Sequence, residues 1–260
     1  MTSPTKKIKP LVAGNWKMNG TGADLREVRR LHTHLSKMKY GCDVAVCAPA
    51  TLVHRLAAMK FGAKIMTGGQ DCHAAEKGAH TGDVSAEMLK DAGAKWVIVG
   101  HSERRADVKR GGHGETSKIV REKMLAAQKA ELRSIVCVGE LLSERKAGDT
   151  LKVVGAQLRQ SLPDTCSAAD IVIAYEPVWA IGSGLTPSVE QISAVHAHIR
   201  KALVRRFGTP GGAMRILYGG SVKPSNASEL MMIKDVNGAL VGGASLKAQD
   251  FAGIIAAYQR

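Results

Sequence analysis

Ile171-Val172-Ile173-Ala174-Tyr175-Glu176-Pro177-Val178-Trp179-Ala180-Ile181-Gly182-Ser183-Gly184 sets one acid between a short apolar run and an apolar loop that ends in glycines. The run is β-branched and has no polar face, the composition of a strand buried on both sides in a parallel sheet. Pro177 cannot donate to a sheet ladder, so the strand stops and leaves Glu176 at its C-terminal end. Val178, Trp179, Ala180 and Ile181 are too apolar for an ordinary surface loop, and the glycines permit backbone angles that other residues resist. Two readings fit this segment. Glu176 is either a general base beneath a loop that closes over a ligand and expels water, or a carboxylate that caps the next helix under a hydrophobic turn.

The same strand grammar recurs along the chain. Short β-rich runs cover Leu11 to Asn15, Asp43 to Cys47, Lys64 to Gly68, Trp96 to Gly100, Ser134 to Gly139, Ile171 to Tyr175, Arg215 to Tyr218 and Ala239 to Gly242, eight in all. Segments of helical period lie between them. In one, Leu25, Val28, Leu31, Leu35 and Met38 form a single apolar face. Others span Thr51 to Phe61, Ser85 to Ala92, Glu115 to Ala130, Thr150 to Leu162, Ser188 to Phe207 and Asn226 to Met232. Alternating strands and helices imply a parallel sheet, and eight repeats without a break in composition point to a closed (β/α)8 barrel. An open doubly wound sheet is the alternative. The length of 260 residues suits one such barrel, and no linker divides the chain, so a single domain over 1–260 is expected.

Composition narrows the function classes. The net charge of +14 raises nucleic acid as a partner. However, the cations are dispersed in small groups such as Lys6/Lys7/Lys9, Arg26/Arg29/Arg30, Arg104/Arg105/Lys109/Arg110 and Arg200/Lys201/Arg205/Arg206. No recognition motif or aromatic stacking platform accompanies them, so they read as solvated helix faces and no nucleic-acid partner is expected. The five cysteines form no C-x-x-C pair and no zinc spacing, which fits reduced thiols and no metal centre. No apolar run is long enough to span a bilayer and residues 1–9 lack a signal-peptide core, so a cytoplasmic protein without membrane contact is expected.

In a barrel of this kind, chemistry is built at the C-terminal ends of the strands. Useful side chains fall there: Asn15 and Lys17 after the first run, His101, Ser102 and Glu103 after the fourth, Cys137 and Glu140 around the end of the fifth, Glu176 after the sixth. The last two runs end in Gly219-Gly220-Ser221 and Gly242-Gly243-Ala244-Ser245. One glycine pair is only a tight turn. Two pairs after consecutive final strands let backbone N–H groups approach an anion such as phosphate.

Six motifs in order, Gly14 to Asn19, Gly100 to Arg105, Cys137 to Glu140, Ala174 to Gly184, Tyr218 to Ser221 and Leu240 to Leu246, resemble the triosephosphate isomerase family from end to end. The resemblance implies a TIM barrel that interconverts dihydroxyacetone phosphate and D-glyceraldehyde 3-phosphate without metal or organic cofactor. Tuned acid and base groups and a closing loop are established roles in that family, and they are carried here by the resemblance. Glu176 would be the base that moves a proton between adjacent carbons, His101 the neutral donor to the carbonyl, and Lys17 the cation that stabilises developing negative charge. Asn15 would bond the substrate oxygen. Backbone N–H groups of Gly182, Ser221, Gly242 and Gly243 would hold the phosphate. In supporting roles, Glu103 would orient Lys17, Ser102 would hold Glu176 while the lid is open, Cys137 would pack near the base, and Ile181 and Leu240 would clamp it. Residues 177–187 would be the lid. The arm 71–83, with Thr81 at its reach, would join a homodimer.

Two segments depart from the family pattern. Many members carry Thr-Gly-Lys-Thr-Ala where this chain has Ser183-Gly184-Leu185-Thr186-Pro187, a stiffer hinge without a lysine. Residues 106–114 carry no assigned role. Competing readings are a barrel glycosidase with Glu103 and Glu176 as its carboxylate pair, and an inactive barrel kept for surface binding. Only three Trp, four Tyr and three Phe are present, few for sugar stacking. The coexistence of Lys17, His101 and Glu176 argues against a dead enzyme.

Overall fold

A computed structural model describes residues 8–106, 112–182 and 185–259. Lys6, Lys7, Lys109, Arg110, Ser183 and Gly184, each singled out above, lie outside the described residues. Eight parallel strands close into a barrel in chain order: β1 (Leu11–Asn15), β2 (Asp43–Cys47), β3 (Met66–Gly69), β4 (Trp96–Val99), β5 (Arg133–Val138), β6 (Ile171–Tyr175), β7 (Arg215–Tyr218) and β8 (Gly238–Val241). The expected (β/α)8 TIM barrel is therefore observed, and the open sheet is excluded.

Closure depends on one glycine. Leu11 of β1 pairs with Gly238 of β8, and Gly238 has φ +131° with the Leu11 carbonyl where a Cβ would stand. Only a residue without a side chain fits both the backbone angle and that approach. The strands lack polar alternation because both their faces are covered. Leu11, Ala13, Ile98, Ile135, Val172 and Leu217 fill the barrel interior, while Val12, Val44, Val97, Val136 and Ile173 pack outward under the helices.

The outer helices are α1 (Leu25–Ser36), α2 (Ala50–Ala57), α3 (Ala86–Asp91), α4 (Ser102–Arg105), α5 (Ser117–Lys129), α6 (Leu142–Lys146), α7 (Thr150–Ser161), α8 (Val189–Phe207), α9 (Thr209–Ala213), α10 (Pro224–Met232) and α11 (Ala248–Ile255). Their starts follow capping chemistry. Ser85, Thr116 and Ser188 each accept an amide hydrogen from the first turn of α3, α5 and α8. Three helices escaped the sequence reading. The Gly-Pro composition of α9 reads as a turn, α6 is a single short turn held by Glu144 at the Leu141 amide, and α11 is only eight mostly apolar residues, with Gln249 and Asp250 alone making its exposed polar side. The third strand starts at Met66, not Lys64, because Gly62–Lys64 form a 3-10 turn.

The arm after β3 leaves the barrel and returns through His73 N–H to the Val84 carbonyl, at 2.8 Å. Its base is pinned by a partly buried charge cluster. Lys123 reaches Asp71 at 2.7 Å and Glu115 at 2.6 Å, and Arg104 reaches the same two acids at 2.8 and 2.5 Å. Flanking residues give the 106–114 segment closed ends: Gly114 N–H donates to the Ala106 carbonyl and Glu115 N–H to the Arg104 carbonyl.

Candidate active site

A cavity of about 340 Å³ opens at the C-terminal ends of the strands. Asn15, Lys17, His101, Glu176, Ile181, Gly182, Ser221, Leu240, Gly242 and Gly243 all line it. A larger groove, about 750 Å³, runs between α7 and α8 on the outer surface, but its charged lining is entirely basic and it has no acid–base pair. The chemistry is thus concentrated in the smaller cavity.

Glu176 follows β6 directly and is 2% exposed. Its carboxylate accepts from the Ser102 amide at 3.0 Å and the Ser102 hydroxyl at 3.4 Å, and lies 2.8 Å from His101 Nε2. Burial pushes its pKa up, but His101, the Ser102 amide and the Cys137 thiol together outweigh burial and hold it below the ordinary glutamate value. Neighbouring glycines make room for it. A Cβ on Gly219 would stand 2.9 Å from Glu176 Cγ, and one on Gly139 would run into the Glu176 carbonyl.

His101 turns off β4 through Gly100, whose φ is +66°, and caps α4. The Glu103 amide donates to its Nδ1 at 3.3 Å, which leaves Nε2 as the protonated nitrogen facing the cavity. Burial pulls the imidazole down, and the Glu176 carboxylate more than offsets it, so His101 sits above its ordinary value in this arrangement.

Lys17 has the left-handed backbone φ of +54°, uncommon for a residue with a side chain. Two hydrogen bonds hold it there. The Asn15 side-chain oxygen accepts from Lys17 N–H at 3.0 Å, and Gln70 Nε2 donates to the Lys17 carbonyl at 2.9 Å. Its ammonium meets Glu103 at 2.8 Å. Lys17 therefore reaches the cavity from a fixed backbone.

The glycine ends of β7 and β8 form the opposite wall, with Ser221, Gly242 and Gly243 on it. Nothing stands within 4 Å of a Cβ on Gly243, and the nearest atom to one on Gly242 is Lys17 Cε at 3.8 Å. Open glycine backbone and a lysine methylene at that distance suit a small anion.

The loop after Glu176 begins with a 3-10 turn, Val178–Ala180. Glu140 anchors it: its backbone carbonyl accepts from Val178 N–H at 3.2 Å and its carboxylate from Trp179 Nε1 at 2.8 Å. The same carboxylate accepts from the Tyr175 hydroxyl at 3.2 Å. Ile181 and Gly182 reach the cavity, while Ser183 and Gly184 lie outside the described residues.

All the site residues named from the sequence converge here, directly or through one contact. Sequence reading missed Gln70, the role of Glu140, and Arg105, which binds the Gly100 and Cys137 carbonyls at 2.7 and 3.3 Å and so ties the ends of β4 and β5 together. In the arm, His73, His80 and Asp83 place possible metal donors within 4.8 Å of one another. The Ala75 amide donates to His73 Nδ1, so the neutral ring carries its proton on Nε2, the nitrogen a metal would need free.

Residues 10–258 match the family model described as Triosephosphate isomerase. The chain is 57% identical over 249 residues to a triosephosphate isomerase of Ruegeria sp., covering 96% of this chain and 98% of the relative. It is 56% identical over 256 residues to one of Rhodopseudomonas palustris, covering 96% and 97%. A solved structure of triosephosphate isomerase from Bartonella henselae superposes with a TM-score of 0.89 at 48% identity, over 96% of this chain and 99% of that one. Fold, cavity and sequence agree, and the chain belongs to the triosephosphate isomerase family.

Proposed function

We propose that this protein interconverts dihydroxyacetone phosphate and D-glyceraldehyde 3-phosphate through an enediolate. One observation carries the reading: a buried carboxylate, an imidazole Nε2–H and an ammonium face a single cavity whose opposite wall is glycine backbone.

Glu176 takes the proton from the carbon beside the carbonyl and returns it to the neighbouring carbon. In the structure its carboxylate is engaged by Ser102 and His101, which keeps its pKa low. Moving off these partners toward a substrate removes every lowering influence they supply and leaves burial, which raises basicity when proton abstraction requires it. The same movement acts on His101. Without a carboxylate at Nε2, burial and the Glu103 amide at Nδ1 favour the neutral ring, and Nε2–H is free to donate to the substrate oxygen. His101 then shuttles a proton between the two oxygens of the enediolate. Lys17 stabilises charge on those oxygens, and Asn15 adds a hydrogen bond.

The phosphate rests on the amides of Gly182, Ser221, Gly242 and Gly243. Residues 177–187 close as the lid, with Ile181 and Leu240 excluding water from Glu176. Pro187 stiffens the far hinge, and Leu185 stands where many members carry a lysine, so the departure bears on lid kinetics and not on the reaction. No metal or organic cofactor is required by these steps.

We also infer a cytoplasmic homodimer and no nucleic-acid partner. Thr81 is exposed on the arm, and a socket of about 440 Å³ lies beside Lys17, Gln70 and Glu103. An arm seated in the partner's socket supports the site from outside. Among the described residues no helix is long and apolar enough to cross a membrane.

The test is isomerisation of D-glyceraldehyde 3-phosphate by the purified chain, beside Glu176→Gln and Lys17→Met. Glu176→Gln should lower kcat by about a thousandfold or more with little change in KM. Lys17→Met should damage both constants. Near-normal turnover in either variant refutes the role given to that residue.

A further inference from the structure

We propose that Ser245 is a positioning residue for the anion cradle, aiming the Gly243 amide into the cavity; the proposal rests on the phosphate-binding reading above. The Gly242 carbonyl receives two hydrogen bonds from this one residue, from Ser245 N–H at 2.8 Å and from the Ser245 hydroxyl at 2.7 Å. A trans peptide is planar, so its C=O and N–H point in opposite directions. Holding the Gly242 carbonyl against Ser245 therefore turns the Gly243 N–H the other way, and both glycines line the cavity.

Ser245 is itself fixed from the opposite side. It is buried, and its carbonyl accepts from Trp16 Nε1 at 3.2 Å. Gly14 exists without a side chain at this place because a Cβ there would stand 2.7 Å from Ser245 Cβ. Trp16 immediately precedes Lys17. The chain of contacts Trp16, Ser245, Gly242 thus sets the distance between the ammonium and the amide that grip the same anion. Alanine at 245 keeps the backbone bond to Gly242 and loses the hydroxyl bond, which frees the peptide to rock.

Steady-state kinetics of Ser245→Ala test this with three probes. KM for D-glyceraldehyde 3-phosphate and the inhibition constant of inorganic phosphate should both rise about fivefold, the loss of one buried hydrogen bond, with kcat within about twofold. Turnover of D-glyceraldehyde, which has no phosphate, should stay unchanged. Ser245→Cys, with a weaker donor, should fall between. Should the alanine variant fail to fold, Ser245→Cys carries the test alone, with weaker phosphate inhibition and unchanged D-glyceraldehyde turnover expected. Unchanged phosphate inhibition, or an equal fall in D-glyceraldehyde turnover, overturns the proposal. A wild-type chain that isomerises neither substrate refutes the proposed function instead, and phosphate affinity measured by direct titration of the variants still decides the role of Ser245.

Discussion

Glu176 illustrates how one side chain's contacts become a pH dependence. Its pKa lies below the ordinary value of 4.5, so its contribution to stability is present above about pH 4.5 and is lost as the pH falls through the lowered value. The free enzyme's kcat/KM reports the same group. Once corrected for the substrate phosphate, which ionises near pH 6, its acid limb should lie below 4.5. A limb at 6 that persists after the correction would mean that Ser102 and His101 do not hold the carboxylate in solution. Glu176, His101 and Lys17 are legible in the sequence as candidates because each lies at or just beyond the end of a strand run, and their roles were read from the family resemblance. Gln70 and Ser245 are not. Gln70 bonds a carbonyl 53 positions away, and the bond that fixes Ser245 from outside its own turn comes from Trp16, 229 positions away, contacts that exist only once the barrel has closed.

The strand ends do the positioning, and their glycines are the sensitive points. Gly219 follows β7 and leaves room for Glu176; a Cβ there would also stand 3.0 Å from the Tyr175 carbonyl. Gly219→Ala should therefore push the base off its line and lower kcat about a hundredfold, since misplacement by an ångström costs that much, with KM for the phosphate-bearing substrate little changed. A normal kcat in that variant would show that Glu176 relocates freely. The strands were legible to within two residues because burial on both faces leaves an unbroken apolar run. A helix of turn-like composition, α9, and one of only eight mostly apolar residues, α11, were not, because so short a run does not separate a helix from a buried strand.

The barrel binds these pieces into one cooperative unit, and β1 to β8 is the seam. Gly238→Ala places a side chain against the Leu11 carbonyl at a φ of +131°, a strained angle and a clash together. A destabilisation of about 3 kcal/mol or more is expected in denaturant unfolding. A loss below about 1 kcal/mol would show that the seam can open locally without weakening the rest. Eight repeats of one strand pattern made the closed architecture readable before any contact was known. The seam was not readable, because Gly238 falls just before the run assigned to the last strand and its partner lies at the other end of the chain.

The central claim is that Glu176 moves a proton between adjacent carbons, and isomerisation of D-glyceraldehyde 3-phosphate in deuterium oxide tests it most directly. A carboxylic acid formed in the site exchanges with solvent, so deuterium should appear at the carbon that receives the proton, and label and product should fall together in Glu176→Gln. Full turnover in Glu176→Gln, with label still entering the product at the rate of the parent enzyme, would contradict a base at this position.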